Sequence, residues 1–212
     1  MRVEATIADV SIAASDRPDL TIDIERSAPS QADLDKYPVV VEARPDGLRV
    51  SIVQRNDGRD PRLRSRIRIA APVWAVLEAV HVFEGRVTVS DLRAACSVDL
   101  QRGGVEANRL AGRVRLEVGL GSVDVRDAEL TPGGMMRLRV FNGPVNVRFA
   151  SAPRNARILA VTLNGRLSSD VPLSLKDRFG PRFGEATLGS GDPVLSIDVV
   201  KGDISIAVDK GK

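Results

Sequence analysis

The chain has 212 residues, 43% of them apolar and 28% charged, so it is long enough to bury a core. Its net charge of +3, from 31 basic and 28 acidic side chains, lacks the clustered basic face that nucleic-acid binding requires. Aromatic residues make up only 3%, which excludes a core built on Phe and Trp and leaves little to stack on bases.

From its start the chain alternates apolar with polar residues. "ATIADVSI", "LTIDIER", "VVVEARPDGLRVSIVQR" and "RLRSRIRIAAP" predict short strands of period two. "RPDG" at 44–47 is a turn signal, with Pro presetting φ and Gly accepting φ > 0. The polar segment 26–38, "RSAPSQADLDKYP", predicts a loop with a helical turn at "QADLDKY". "APVWAVLEAVHVF" (71–83) has a composition open to a short helix, but its valines favour a pair of strands.

From residue 85 the pattern becomes a repeat. "GRVTV", "GGVEA", "GRVRL" and "GSVDV" start at Gly85, Gly103, Gly112 and Gly121, and "AACSV" puts Ala94 in the same slot, so the origins fall every nine residues. Nine extended residues reach about 30 Å at most, one side and a corner of a flattened coil, so two nonads make a coil. The third and fifth positions then face inward: Val87 and Val89, Cys96 and Val98, Val105 and Ala107, Val114 and Leu116, Val123 and Val125. Leu92, Leu110 and Ala128 fill one further slot near the second corner, and glycine allows the first corner to turn. Later origins at Gly143 and Gly165 are spaced by 22, predicting wider coils with corner insertions. Residues 172–192 break the rhythm and predict a loop or cap over the end, followed by the closing strands "PVLSIDVV" and "GDISIAVD". The fold expected is an all-β, single-stranded β-solenoid in one elongated domain: N-terminal strands over 1–70, the repeat over 71–171, and a cap with closing strands over 172–212.

The segments "GRVTVSDL", "GGVEANRL", "GRVRLEVGLGSVDVRDA", "NGPVNV", "NGRLSSD" and "KGDISI" resemble the bacterial putative-adhesin family of unknown function, over roughly residues 60–208. The resemblance implies a β-solenoid associated with the cell envelope, with a cell-surface glycan or an envelope protein as partner. It carries over no catalytic residue. Bactofilins, cytoplasmic β-helical polymers, share the apolar alternation, and they imply self-association instead. The opening "MRVEATIADV" lacks the pattern of an export signal, and no apolar run approaches the ~18–20 residues that span a bilayer. Both a cytoplasmic chain and the mature part of an exported one fit these residues.

Candidate sites lie on the outward positions. Residues eighteen apart stack on neighbouring rungs, ~4.8 Å apart, which pairs Glu106 with Asp124 and Asp99 with Glu117. Close carboxylates can hold Ca²⁺ or push one pKa upward for acid–base work on an anionic polysaccharide. Neutralisation by Arg113, Arg115 and Arg126 in a solvated ladder is the favoured alternative. Arg62, Arg64, Arg66 and Arg68 alternate in "RLRSRIR", so a strand presents all four on one face. Such a row suits a polyanion; a charged edge that resists sheet-to-sheet pairing, or a solvated face, is the favoured alternative. His81, the sole histidine, stands among valines and reads as structural, and Cys96, the sole cysteine, reads as a buried thiol. One His and one Cys exclude a His-rich zinc site and an intrachain disulfide. "GLGS" and "LGSGD" match no phosphate loop, and "RGGVEAN" fails the calcium nonapeptide at two positions. The expectation is a non-catalytic binding or scaffolding module with no cofactor and no metal.

Overall fold

Valine at every second position gives each segment one dry face and one wet face, and a strand satisfies its backbone only beside another strand. The computed structural model describes residues 1–45, 47–54, 62–176 and 180–209. Within them the chain forms β1 (Arg2–Ser15), β2 (Thr21–Ser27), helix α1 (Gln31–Lys36), β3 (Val40–Arg44), β4 (Gly47–Ile52) and β5 (Arg64–Pro72). The long strands β6 (Leu77–Ser90), β7 (Cys96–Asn108) and β8 (Arg113–Arg126) follow. Shorter ones complete the chain: β9 (Met135–Asn142), β10 (Val145–Phe149), β11 (Ala156–Asn164), β12 (Leu167–Ser169), β13 (Ser174–Lys176), β14 (Arg182–Leu188), β15 (Val194–Lys201) and β16 (Ile204–Val208). Helix α1 is the expected helical turn, capped by Ser30 Oγ, which accepts from the N–H of Asp33. The turn expected at 44–47 joins β3 to β4 as an antiparallel hairpin, Arg44 facing Gly47; its residue 46 lies outside the described residues.

All sixteen strands belong to one sheet, which is not closed into a barrel. Its centre is parallel and steps by the expected eighteen residues: Val87 pairs with Val105 and Val105 with Val123, while Val80 pairs with Val98 and Val98 with Leu116. β1, β6, β7 and β8 are long enough to run along two tracks of this sheet, with the glycines of the repeat between the tracks. Elsewhere each rung is split in two, as in β9 with β10 and β15 with β16.

All ten inward positions named from the nonads are buried, each at most 3% exposed. They stack on like residues, so Val10, Val87, Val105, Val123, Val145 and Ile204 form one continuous row. Small branched side chains tile such a row because each meets a near copy of itself one strand away. Leu92 and Leu110 are fully buried at the second corner and Ala128 partly so.

The two chain ends are folded into the stack. β15 lies between β9 and β11, and β16 lies between β10 and β12, so Gly143 is followed in space by Gly202 and only then by Gly165. The closing strands follow the cap along the chain, as expected, but in space they lie inside the stack. At the other end β1 is inserted in the same way, between β6 on one side and β4 with β5 on the other. Asp9 Oδ1 accepts from the N–H of Arg86, and Asp203 Oδ1 from that of Arg166, so each inserted end is pinned by an equivalent bond. Antiparallel strands finish the sheet, β3 and β2 at one end, β14 and β13 at the other.

Candidate binding surface

The arginine row sits where alternation puts it. On β5, Arg64, Arg66 and Arg68 are exposed, while Ser65, Ile67 and Ile69 are buried between them. Arg62 precedes the strand, also exposed. β5 is not an edge, because β1 pairs it on one side and β2 on the other. Of the edge and solvated-face readings, the pairing leaves the solvated sheet face. Glu25 on β2 stands opposite Arg66 and takes two guanidinium groups, Arg68 at 2.7 Å and Arg66 at 3.2 Å. The hydrogen bond from Arg68 holds the Glu25 carboxyl below the usual carboxylate range.

Both predicted carboxylate pairs exist as register neighbours: Glu106 faces Asp124, and Asp99 faces Glu117. Other side chains already engage all four. Glu117 lies 2.9 Å from Arg115 and 3.6 Å from Arg139, and Glu106 lies 3.5 Å from Arg86. Asp124 accepts from Asn146 Nδ2 (2.7 Å) and Ser122 Oγ (3.0 Å), and Asp99 accepts from Gln101 Nε2 (3.2 Å). Of the three arginines expected to neutralise these acids, only Arg115 does; Arg113 and Arg126 make no ion pair among the described residues.

The hydrogen bond from Arg115, aided by the charges of Arg115, Arg139 and Arg137 and opposed by partial burial, keeps the Glu117 carboxyl below its ordinary range. A folded-state pKa lowered in this way stabilises the protein above the ordinary glutamate value of about 4.3, and that contribution is lost as acid carries the pH down through the folded value. Glu117→Gln is therefore expected to cost at most about 1 kcal/mol at neutral pH. Urea unfolding at neutral and acidic pH checks this, since the gap between parent and variant must shrink in acid.

His81 is exposed on β6, in register between Glu4 and Asp99. Its valine neighbours Val80 and Val82 are buried as expected, and the same alternation that buries them turns the imidazole out to the surface. Cys96 is 2% exposed, and burial pushes its thiol up to about 12, which leaves no thiolate for chemistry at neutral pH.

One feature escaped the repeat pattern. β9 pairs with β8 at an offset of 22, placing Arg137 beside Arg115 and Arg139 beside Glu117. A trough of about 790 Å³ runs over this face, crossing β6, β7, β8, β9 and the start of β15. Arg113, Arg115 and Arg137 line it, together with Val76, Met135 and Val194. Applying the 22-residue offset to "RVRLE" and "MMRLR" would have found the arginine pair; the trough depends on loops that no local pattern reveals.

The geometry defines an all-β protein with parallel rungs and a charged outer surface on which Glu117 and Glu106 pair with arginines while Asp99 and Asp124 have only uncharged partners among the described residues. No protein-family model matches the chain, and no curated protein matches it in sequence. Among solved structures it is similar in fold to a putative cell adhesion protein from Clostridium sporogenes ATCC 15579. That likeness covers 98% of this chain and 91% of that one, at a TM-score of 0.55 and 9% identity. A putative adhesin from Bacteroides fragilis NCTC 9343 also aligns, over 98% of this chain and 90% of that one, at a TM-score of 0.35 and 11% identity. Among the described residues no helix is long and apolar enough to cross a membrane.

Proposed function

We propose that this chain is a non-catalytic, adhesin-like binding module, built as one elongated β-solenoid domain whose rungs present a broad mixed-charge surface to a cell-surface glycan or an envelope protein. The observation that carries the reading is the fold likeness, over nearly the whole chain, to the Clostridium sporogenes protein described as a putative cell adhesion protein. Glu117 supports it. An acid catalyst needs a proton at working pH, and a carboxylate held between two guanidinium groups does not keep one. The row Arg62, Arg64, Arg66 and Arg68 is a first polyanion contact under this reading, moderated by Glu25.

The test is incubation with a panel of acidic polysaccharides, followed by measurement of bound polymer and of polymer length. Binding with the length unchanged is expected. Shortening of any polymer, abolished by Asp124→Asn, overturns the reading in favour of a carbohydrate-active enzyme that uses the stacked carboxylates.

A further inference from the structure

We propose that the trough across β6–β9 binds an extended anionic glycan, with Arg113 and Arg137 gripping its carboxylate or sulfate groups and Trp74 stacking on a sugar ring. This deepens the binding-module reading and rests on it.

The trough offers cations with capacity to spare. Arg113 makes no ion pair among the described residues, and Arg137 reaches its nearest carboxylate, Asp198, only at 4.0 Å. Arg115 is already held by Glu117 through two bonds, of 3.1 and 2.9 Å, and so serves as a fixed charge. The acids that line the trough are occupied. Glu78 is bonded to Arg2 at 2.8 Å, and Asp192 accepts the N–H of Gly133 at 2.8 Å. A guanidinium whose fork is unused meets a carboxylate or sulfate with paired hydrogen bonds, which a dispersed lysine charge cannot do.

The apolar part of the site is as specific. Trp74 is the only tryptophan of the chain and is 68% exposed, although a folded protein gains from covering so large a side chain. It stands in the turn Pro72–Ala75, closed by the Ala75 N–H to Pro72 carbonyl bond, two residues before Val76, which lines the trough, and Met135 in the trough is 48% exposed. A pyranose ring has C–H faces that lie flat on an aromatic or apolar surface and a rim of polar groups. Apolar floor and free guanidinium together therefore match a sugar that carries an acid.

The shape selects a polymer. The lining residues come from five successive strands, and four rung steps of about 4.8 Å give a trough about 19 Å long, running along the stack. Arginines line it on two adjacent rungs, Arg113 and Arg115 on β8 and Arg137 on β9, so a chain of acidic sugars meets both rungs, whereas a single small anion uses only one.

The single tryptophan is also the probe. Intrinsic fluorescence of the full chain is followed on adding polygalacturonate, heparin, neutral dextran, polyglutamate, or vesicles of phosphatidylcholine with phosphatidylglycerol. A saturable change with polygalacturonate or heparin is expected, the first indicating carboxylate and the second sulfate recognition, with none for dextran. The double variant R113Q/R137Q should weaken binding by about tenfold, and R154Q/R166Q, which removes two arginines outside both the trough and the β5 row, should leave it within about twofold. W74A, followed by retention on immobilised polymer, should weaken it as well. Unaltered melting temperatures confirm that the variants fold. Undiminished binding by R113Q/R137Q, or an equal loss in R154Q/R166Q, overturns the trough while leaving the binding-module reading in place. A response to polyglutamate or vesicles alone overturns the glycan assignment, as does a response to no polymer at all.

Discussion

Gly121→Ala is expected to lower the unfolding free energy by about 3–5 kcal/mol, from backbone strain and overpacking together. Gly121 has φ +143°, a conformation that side-chain-bearing residues rarely adopt, and a Cβ built there lies 1.6 Å from the carbonyl oxygen of Gly103. That oxygen belongs to the backbone of the next rung, so relief requires the rungs to part. Parting them breaks the in-register bonds on which every row of stacked valines depends. Two neighbouring glycines provide controls. Gly104 has only Ser122 Oγ near its virtual Cβ, at 3.5 Å, and Ser122 is itself the next member of that row, so Gly104→Ser should change stability by less than about 0.5 kcal/mol. Gly133 has φ +70° with nothing within 4 Å, so Gly133→Ala should cost only the backbone strain, about 1 kcal/mol. Urea denaturation with a shared slope measures all three. An unmoved midpoint for Gly121→Ala would show that the rungs are not held at the corner in this way.

The same contacts explain why so much of the centre was legible. Only glycine is tolerated where one backbone lies on another, and only small branched residues stack cleanly behind it, so the eighteen-residue step is written in residue type. The second corner carries a weaker mark. Asp91, Arg109 and Asp127, again eighteen apart, all have positive φ, and Arg109 is bonded to Asp91 at 2.6 Å. Aspartate tolerates that conformation and hints at the corner, whereas arginine hides it. The insertion of β15 and β16 was not legible. "NGPVNV", "NGRLSS" and "KGDISI" present the same glycine and the same inward residues, so local pattern cannot say which pair lies adjacent. The arginine face around Arg137 and Arg139 was lost for a related reason: it exists only across strands, at an offset that differs from the one the nonads announce.

Replacing residues 173–190 by an eight-residue Gly/Ser linker should turn a chain of constant mass into one that associates as concentration rises. Residues 127–134 already make the corresponding return between β8 and β9, so a linker of that length can join β12 to β15. The deletion removes β13 and β14. Seven residues of β11, Ala156 to Thr162, lose their antiparallel partners, and the apolar strand "ARILAVTLN" becomes an open edge. Unpaired N–H and C=O groups on a long apolar strand are a template for another chain. In the intact protein the outermost strands at that end are short, as in β13, or bear charge, as Arg182 and Glu185 do in β14. At the opposite end β3 carries Glu42 and Arg44, which are bonded to each other. Intact chains therefore have poor surfaces for stacking end to end, and static light scattering should give them one mass at every concentration, with growth only in the deletion. A mass that rises for the intact protein would favour the self-assembling reading that a bactofilin resemblance implies. A deletion that stays monomeric would show that the antiparallel strands are not what keeps β11 from pairing.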